Sequence, residues 1–221
     1  PIVVGGTGFY IQALLYDIDF TEKTDEEYRS RLKEAAERRG NGYLHSLLAQ
    51  VDPKSAEMIH ENNRKRVIRA LEFYHTTGQR LSEHNEVQRQ RISPYQFVCF
   101  VLTDDRQRLY ERIDRRVDQM IDAGLVDEVR RLRNMGCRRD MVSMQGLGYK
   151  EILDYLEGEI SLEQAVYRIK RDTRHFAKRQ LTWFRRERDV IWIDKGDFSG
   201  DEKKILEYMK QVLRDGGIYK E

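Results

Sequence analysis

Two cysteines, scattered histidines and no long apolar run exclude several classes of protein at once. Cys99 and Cys137 show no metal-type spacing, and Cys99 falls in an apolar strand pattern as an ordinary core residue. His45, His60, His75, His84 and His175 form no zinc-type pair, so no transition-metal site is assigned. No stretch approaches a membrane span, and the first residues lack the basic and apolar regions of a signal peptide. A reducing, cytoplasmic setting is therefore expected. Internal repeats and low-complexity linkers are absent. No G-x-x-x-x-G-K-S/T occurs, so these residues carry no Walker A loop of their own.

What is present is charge, unevenly placed. The 221 residues are 35% charged and 39% hydrophobic, enough for one core or one core plus a satellite. The chain's net charge is only +2. Yet Arg168 to Arg188 holds nine Lys/Arg (168, 170, 171, 174, 178, 179, 185, 186, 188) against Asp172 and Glu187, a local +7 that leaves −5 elsewhere. Such asymmetry is the footprint of a phosphate-rich partner; a solvated charged face is the alternative, although solvent faces normally mix signs. At about 100° per residue, Arg171, Arg174, His175, Lys178, Thr182 and Arg185 share one helical face. Phe176 and Phe184 are expected to face the core. Trp183 sits at the stripe's edge, where it can stack on a base or seal the core. Ser161 with Gln164 reads as the capping box that starts this helix.

Pro1–Val4 reads as a buried strand, followed by Gly5-Gly6-Thr7-Gly8 and an apolar helix, an α/β unit. A chain that opens inside a strand, without Met, is expected to be the C-terminal piece of a longer polypeptide. From Thr24, which pairs with Glu27 as a capping box, to about Ile92 only helices are expected. One ends near Gly40, and the next places Leu44, Leu47, Leu48 and Val51 at helical spacing. Asp52-Pro53 starts a short helix. Arg64–Thr77 follows, with Val67, Ile68, Leu71 and Tyr74 inward and Gly78 as C-cap. The apolar run Phe97–Leu102 is expected to be a strand buried on both faces. Helices from about Arg106 and over Val126–Met135 follow, then a turn-rich Met141–Tyr149, helix Ile152–Leu156, strand Val190–Ile193 and helix Glu202–Leu213. The expected division is 1–23 in an α/β core, 24–92 a helical insertion, and 93–221 the remainder of the core.

Four segments are candidates for chemistry. Gly5, Gly6 and Gly8 with the Thr7 hydroxyl can cradle a phosphate, or form a tight turn needing positive φ. Arg116, with Arg112 second, can clamp a diphosphate, or simply make intrahelical ion pairs. Asn63-Arg64-Lys65-Arg66 with Arg69 is a second basic cluster. In Gln145–Lys150 the glycines permit close backbone approach, Gln145 can read a base edge and Tyr149 can stack; ordinary surface and loop are the bland readings of the last two.

Four stretches together resemble one family. Val4-Gly-Gly-Thr-Gly-Phe-Tyr-Ile-Gln-Ala-Leu-Leu15, Ile59-His60 through Arg69-Ala70-Leu71-Glu72, Gln145-Gly-Leu-Gly-Tyr-Lys150 and Ala177-Lys-Arg-Gln-Leu-Thr-Trp-Phe-Arg185 are similar to the tRNA dimethylallyltransferases, as is Tyr155–Ile160. The resemblance implies a P-loop, kinase-like α/β core, predominantly helical, with an all-α insertion that grips the anticodon stem-loop. It implies transfer of a dimethylallyl group from dimethylallyl diphosphate to N6 of adenosine 37, with Mg²⁺, by a monomer. It places Thr7 and Arg116 at the reaction centre, with Gly5, Gly6, Thr7 and Arg116 on the diphosphate. It places Arg29, Lys65, Arg66, Arg69, Gln145, Gly146, Gly148, Tyr149, Lys150, Lys178, Arg179, Gln180, Trp183 and Arg185 on tRNA. The family's Walker loop and catalytic aspartate precede a strand like Pro1–Val4, so no general base is named here and the chain alone is expected to be inactive. An adenylate isopentenyltransferase acting on a free nucleotide and a non-catalytic RNA-binding domain are the competing readings.

Overall fold

The structure, a computed structural model, describes residues 1–16 and 25–218. In order these form α1 (Gly8–Tyr16), α2 (Glu26–Arg39), α3 (Asn41–Val51), α4 (Pro53–Met58), α5 (Arg64–Thr77) and α6 (Leu81–Arg89). Then come β1 (Cys99–Thr103), α7 (Arg106–Asp122), α8 (Leu125–Asn134), α9 (Tyr149–Leu156), α10 (Leu162–Phe184), β2 (Val190–Asp194) and α11 (Glu202–Asp215), with 3₁₀ turns at Val142–Gln145 and Lys195–Phe198. The chain divides into two units, Phe9–Tyr95 and Pro1–Gly8 with Gln96–Glu221. Among the described residues no helix is long and apolar enough to cross a membrane.

The regular elements of the Phe9–Tyr95 unit are all helices among its described residues. Leu32 and Ala36 of α2, Leu44 and Leu48 of α3, and Val67, Ile68 and Leu71 of α5 recur at helical spacing and close over one another. Tyr74, expected inward, is 38% exposed, because at its turn of α5 the preceding Phe73, 2% exposed, takes the inward position instead. Gly78 takes φ 71° as the C-cap of α5, a left-handed conformation that favours glycine. The cap of α2 is Asp25, which accepts from the Tyr28 amide; Thr24, its expected cap, lies outside the described residues.

Asp52 does more than start α4. Its carboxylate accepts from the Ser55 amide and hydroxyl, and from the Ser82 amide and hydroxyl at 2.9 and 2.6 Å, so one buried side chain caps α4 and α6 together. Burial pushes its pKa upward, but these four hydrogen bonds outweigh that and hold it below the ordinary carboxylate value.

In the other unit β1 and β2 pair in parallel, Cys99 with Val190 through Thr103 with Asp194, a mostly helical α/β arrangement with a small sheet. Between them α7 to α10 enclose a core of Val117, Leu125, Val129, Met144, Ile152, Leu153, Ala165 and Ile169. Two strand expectations are corrected. Pro1–Val4 is not a strand: neither β1 nor β2 pairs with it, and Ile2 and Val4 are more than nine-tenths exposed. The run ending at Leu102 is not buried on both faces either. Val101 is buried but Leu102 is 51% exposed, since a two-stranded sheet is too narrow to be shielded throughout.

Candidate functional site

The basic helix forms as its cap dictates. The Ser161 hydroxyl accepts from the Gln164 amide at 3.2 Å, and the Gln164 side chain accepts from the Ser161 amide at 3.0 Å, a reciprocal capping box. From there α10 runs 23 residues, long enough to carry two electrostatically different halves.

The first half is neutralised by carboxylates from other elements. Arg168 meets Asp154 of α9 at 3.4 Å, Lys170 meets Asp118 of α7 at 2.6 Å, and Arg174 meets Asp114 of α7 at 2.6 Å. Arg171 bonds its neighbour Asp172, and that hydrogen bond raises the Arg171 pKa and lowers that of Asp172. The charge of the stripe is therefore paired with carboxylates over residues 168–174. The second half is open. Lys178 and Arg179 on it, and Arg185, Arg186 and Arg188 just past its last residue Phe184, are exposed and have no ion-pair partner among the described residues. Arg179 lies 5.7 Å above the Phe176 ring, which is 39% exposed instead of packed inward. Phe184, the last residue of α10, is buried as expected.

The glycine loop lies against this second half. Gln180 Nε2 donates to the Gly6 carbonyl at 2.8 Å. A Cβ at Gly6 would overlap that amide, and a Cβ at Gly8 would overlap the Trp183 indole. Gly5, Gly6 and Gly8 do not have positive φ, so none serves turn geometry; Gly6 and Gly8 are glycines for close approach, whereas Gly5 faces open space. The Thr7 side chain is exposed beside them. Trp183 is half-buried over Gly8 and edge-on to Phe184, with ring centroids 5.1 Å apart, which is the sealing role and not a free stacking platform.

Gln145 and Lys150 meet the first half of α10 in a polar cleft of about 390 Å³, lined also by Arg139, Glu151, Asp154, Arg168, Arg171 and Asp172. The cleft is internally paired. Gln145 donates to the Arg139 carbonyl, and Lys150 lies 3.3 Å from Glu151. Arg139 bridges Asp154 and Glu157; the Glu157 hydrogen bond, then that of Asp154, raises its pKa. Tyr149 donates to Glu128, which raises the phenol pKa ahead of burial, so its hydroxyl is engaged inside the fold. Gly148, buried at φ 99°, starts α9 and donates its amide to the buried Glu151 at 2.9 Å; Gly146 is exposed beside it.

Arg116 is exposed on α7 and without an ion-pair partner among the described residues, whereas Arg112 lies 3.9 Å from Asp104. In the Phe9–Tyr95 unit, Lys65 and Arg66 are exposed in the first turn of α5. Arg29 is committed to Glu72, a fully buried carboxylate 2.9 Å away, which Arg69 approaches at 3.7 Å. The acids that silence half of α10 were not among the sequence candidates. Their signal was available: Asp114 and Asp118 stand four apart on α7, as Lys170 and Arg174 do on α10.

A long helix with exposed cations at its far end, and a glycine-threonine loop seated on its side, belongs to a mostly helical α/β-type protein. The family model described as IPP transferase matches residues 1–187, and the chain belongs to that family. It is 59% identical over 221 residues to a tRNA dimethylallyltransferase of Lachnoclostridium phytofermentans, covering 100% of this chain and 70% of the relative. Among solved structures it is similar to the full-length tRNA isopentenylpyrophosphate transferase of Bacillus halodurans, with 41% identity, TM-score 0.60, and 96% of this chain against 66% of that one. A eukaryotic dimethylallyltransferase captured acting on tRNA matches with 26% identity, TM-score 0.70, and 97% of this chain against 57% of that one. The chain thus spans about two thirds of the length of the relatives it matches.

Proposed function

We propose that this chain is the tRNA-gripping portion of an enzyme that transfers a dimethylallyl group from dimethylallyl diphosphate to N6 of adenosine 37, working in the cytoplasm as a monomer. The observation that carries the reading is the run of exposed, unpaired cations at 178 and 179 on the helix that holds the Gly5–Gly8 loop and at 185, 186 and 188 just past its end. A cation without a carboxylate partner is available to phosphate, and RNA offers phosphates at regular spacing. The names of the family's members, tRNA dimethylallyltransferase among them, support the same acceptor.

In the reaction the exocyclic amine of adenine attacks the allylic carbon, a C–N bond forms, the C–O bond to diphosphate breaks, and the amine proton passes to a base. The departing diphosphate gains charge as the bond breaks, so cationic and N–H groups placed there lower the barrier. Thr7 and Arg116 are the residues of this chain offered for that task, since both are exposed and Arg116 is unpaired among the described residues. The target base must leave its stack to react, and the free end of α10 would hold the loop while it does. No residue of the chain is assigned as the base.

Magnesium prefers oxygen ligands in an octahedral set. Among the described residues no group of three His, Cys, Asp or Glu side chains converges as such a set, so no step is derived through the ion.

The test is binding of an anticodon stem-loop across a salt series, followed by side-by-side offering of AMP and tRNA as competitors. Affinity that falls steeply with salt, with AMP failing to compete, supports a tRNA acceptor. Salt-independent binding, or AMP competing as well as RNA, overturns it.

A further inference from the structure

Gln180 and Trp183 lie in the middle of the basic run, where a nucleic-acid reading makes them base contacts. The geometry assigns them differently: we infer that both are positioning residues, and that Gln180 ties the RNA-binding end of α10 to the loop carrying Thr7. This rests on the function proposed above for its meaning, but its geometry stands apart from it.

Three observations carry the assignment. The Gln180 amide is spent on the Gly6 carbonyl at 2.8 Å, a bond spanning 174 residues of sequence. Residues 6 and 8, and not the non-glycine Thr7 between them, are the positions where a Cβ would strike α10, at Gln180 and Trp183 respectively. Both contacts fall on the helix segment between the free cations Lys178 and Arg179 on one side and Arg185 and Arg186 on the other. The loop is thus held at two points, a hydrogen bond and an aromatic plate, with the Thr7 side chain left exposed between them. Among the described residues, 1–8 join no strand ladder, and α10 meets this segment at Gly6 and Gly8. An RNA loop that moves or stiffens the free end of α10 would be felt at the Thr7 loop through Gln180.

The experiment compares hydrogen exchange of residues 5–8 and anticodon stem-loop affinity in the parent chain and in Gln180→Ala, Gln180→Glu, Gln180→Lys and Gly6→Ala. Glu keeps the shape of Gln but has no donor; Lys keeps an N–H donor of similar reach. Removing one hydrogen bond is expected to speed exchange at 5–8 about fivefold in the Ala and Glu variants, with the rest of α10 unchanged. Lys should restore protection. Gly6→Ala should reproduce Gln180→Ala, because the new methyl displaces the same amide, and the double variant should be no worse than either single one. RNA affinity of Gln180→Ala should stay within about twofold of the parent, while RNA-induced protection at 5–8, present in the parent, should vanish.

Unchanged exchange at 5–8 in Gln180→Ala, or full protection in Gln180→Glu, overturns the assignment. So does a tenfold loss of RNA affinity in Gln180→Ala with protection intact, which would make Gln180 an RNA contact. Failure of the parent itself to bind the stem-loop overturns the proposed function instead, and the exchange comparison still decides the role of Gln180.

Discussion

Asp114 of α7 receives Arg174 of α10 through one guanidinium nitrogen at 2.6 and 2.7 Å from its two oxygens, and one turn away Asp118 receives Lys170. Two acids four apart on α7 thus face two cations four apart on α10. This double clasp divides the basic helix: the end packed on α7 and α9 is neutral, and the far end keeps its charge.

Breaking the clasp should loosen the helix pair without touching the free cations. Arg174 is 25% and Asp114 36% exposed, so solvent screens the pair and its worth is modest. Asp114→Ala is expected to cost about 1 kcal/mol, read as a fall of a few degrees in thermal midpoint. Stem-loop binding should be unchanged or slightly stronger, because Arg174 is released.

Charge reversal at the other end should do the opposite. Lys178→Glu with Arg179→Glu is expected to leave the thermal midpoint in place, weaken stem-loop binding about tenfold, and reduce the slope of log affinity against log salt by about two units. Filter binding at several salt concentrations reads both. Parental binding by this double variant would show the exposed cations to be a solvated face.

Arg29 should behave as a structural residue of its unit. Arg29→Ala leaves the fully buried Glu72 carboxylate without its 2.9 Å partner, and removal of one member of such a pair costs about 3 kcal/mol. Urea unfolding should show this loss, and Glu72→Gln added to Arg29→Ala should recover part of it, since the stranded charge is then gone.

Asp52 makes the same unit acid-sensitive. Its folded pKa lies below its ordinary value, so the unfolded state takes up the proton first as pH falls. The stability it contributes is whole above the ordinary carboxylate pKa and drains away as pH falls through that value toward the lower folded one. Asp52→Asn should destabilise at neutral pH by about 2 kcal/mol, because the amide cannot accept from both serines as the carboxylate does. It should also flatten the acid limb of stability against pH below about pH 4.

Gly8→Ala should be the costlier of the two loop substitutions. Gly6→Ala meets the movable end of Gln180, whereas Gly8→Ala meets the rigid Trp183 ring. Overpacking of that kind costs about 1–3 kcal/mol, and Trp183 fluorescence should shift in Gly8→Ala but not in Gly6→Ala.

Local features were legible from residue order alone. The bounds of α5, Gly78 as its cap, the Asp52-Pro53 start of α4 and the Ser161–Gln164 capping box each depend on side chains within four residues of the backbone groups they satisfy. The motifs that carry the family resemblance were legible in the same way, as short contiguous strings. Which of nine cations remain free was not legible, because Asp114, Asp118 and Asp154 reach α10 only when distant helices close on it. Nor was the use of Gly6 and Gly8, whose partners stand 174 and 175 positions away. Hydrogen-bond capping is a short-range choice that the chain makes by itself; ion pairing and close approach depend on which surfaces meet, and that only packing decides.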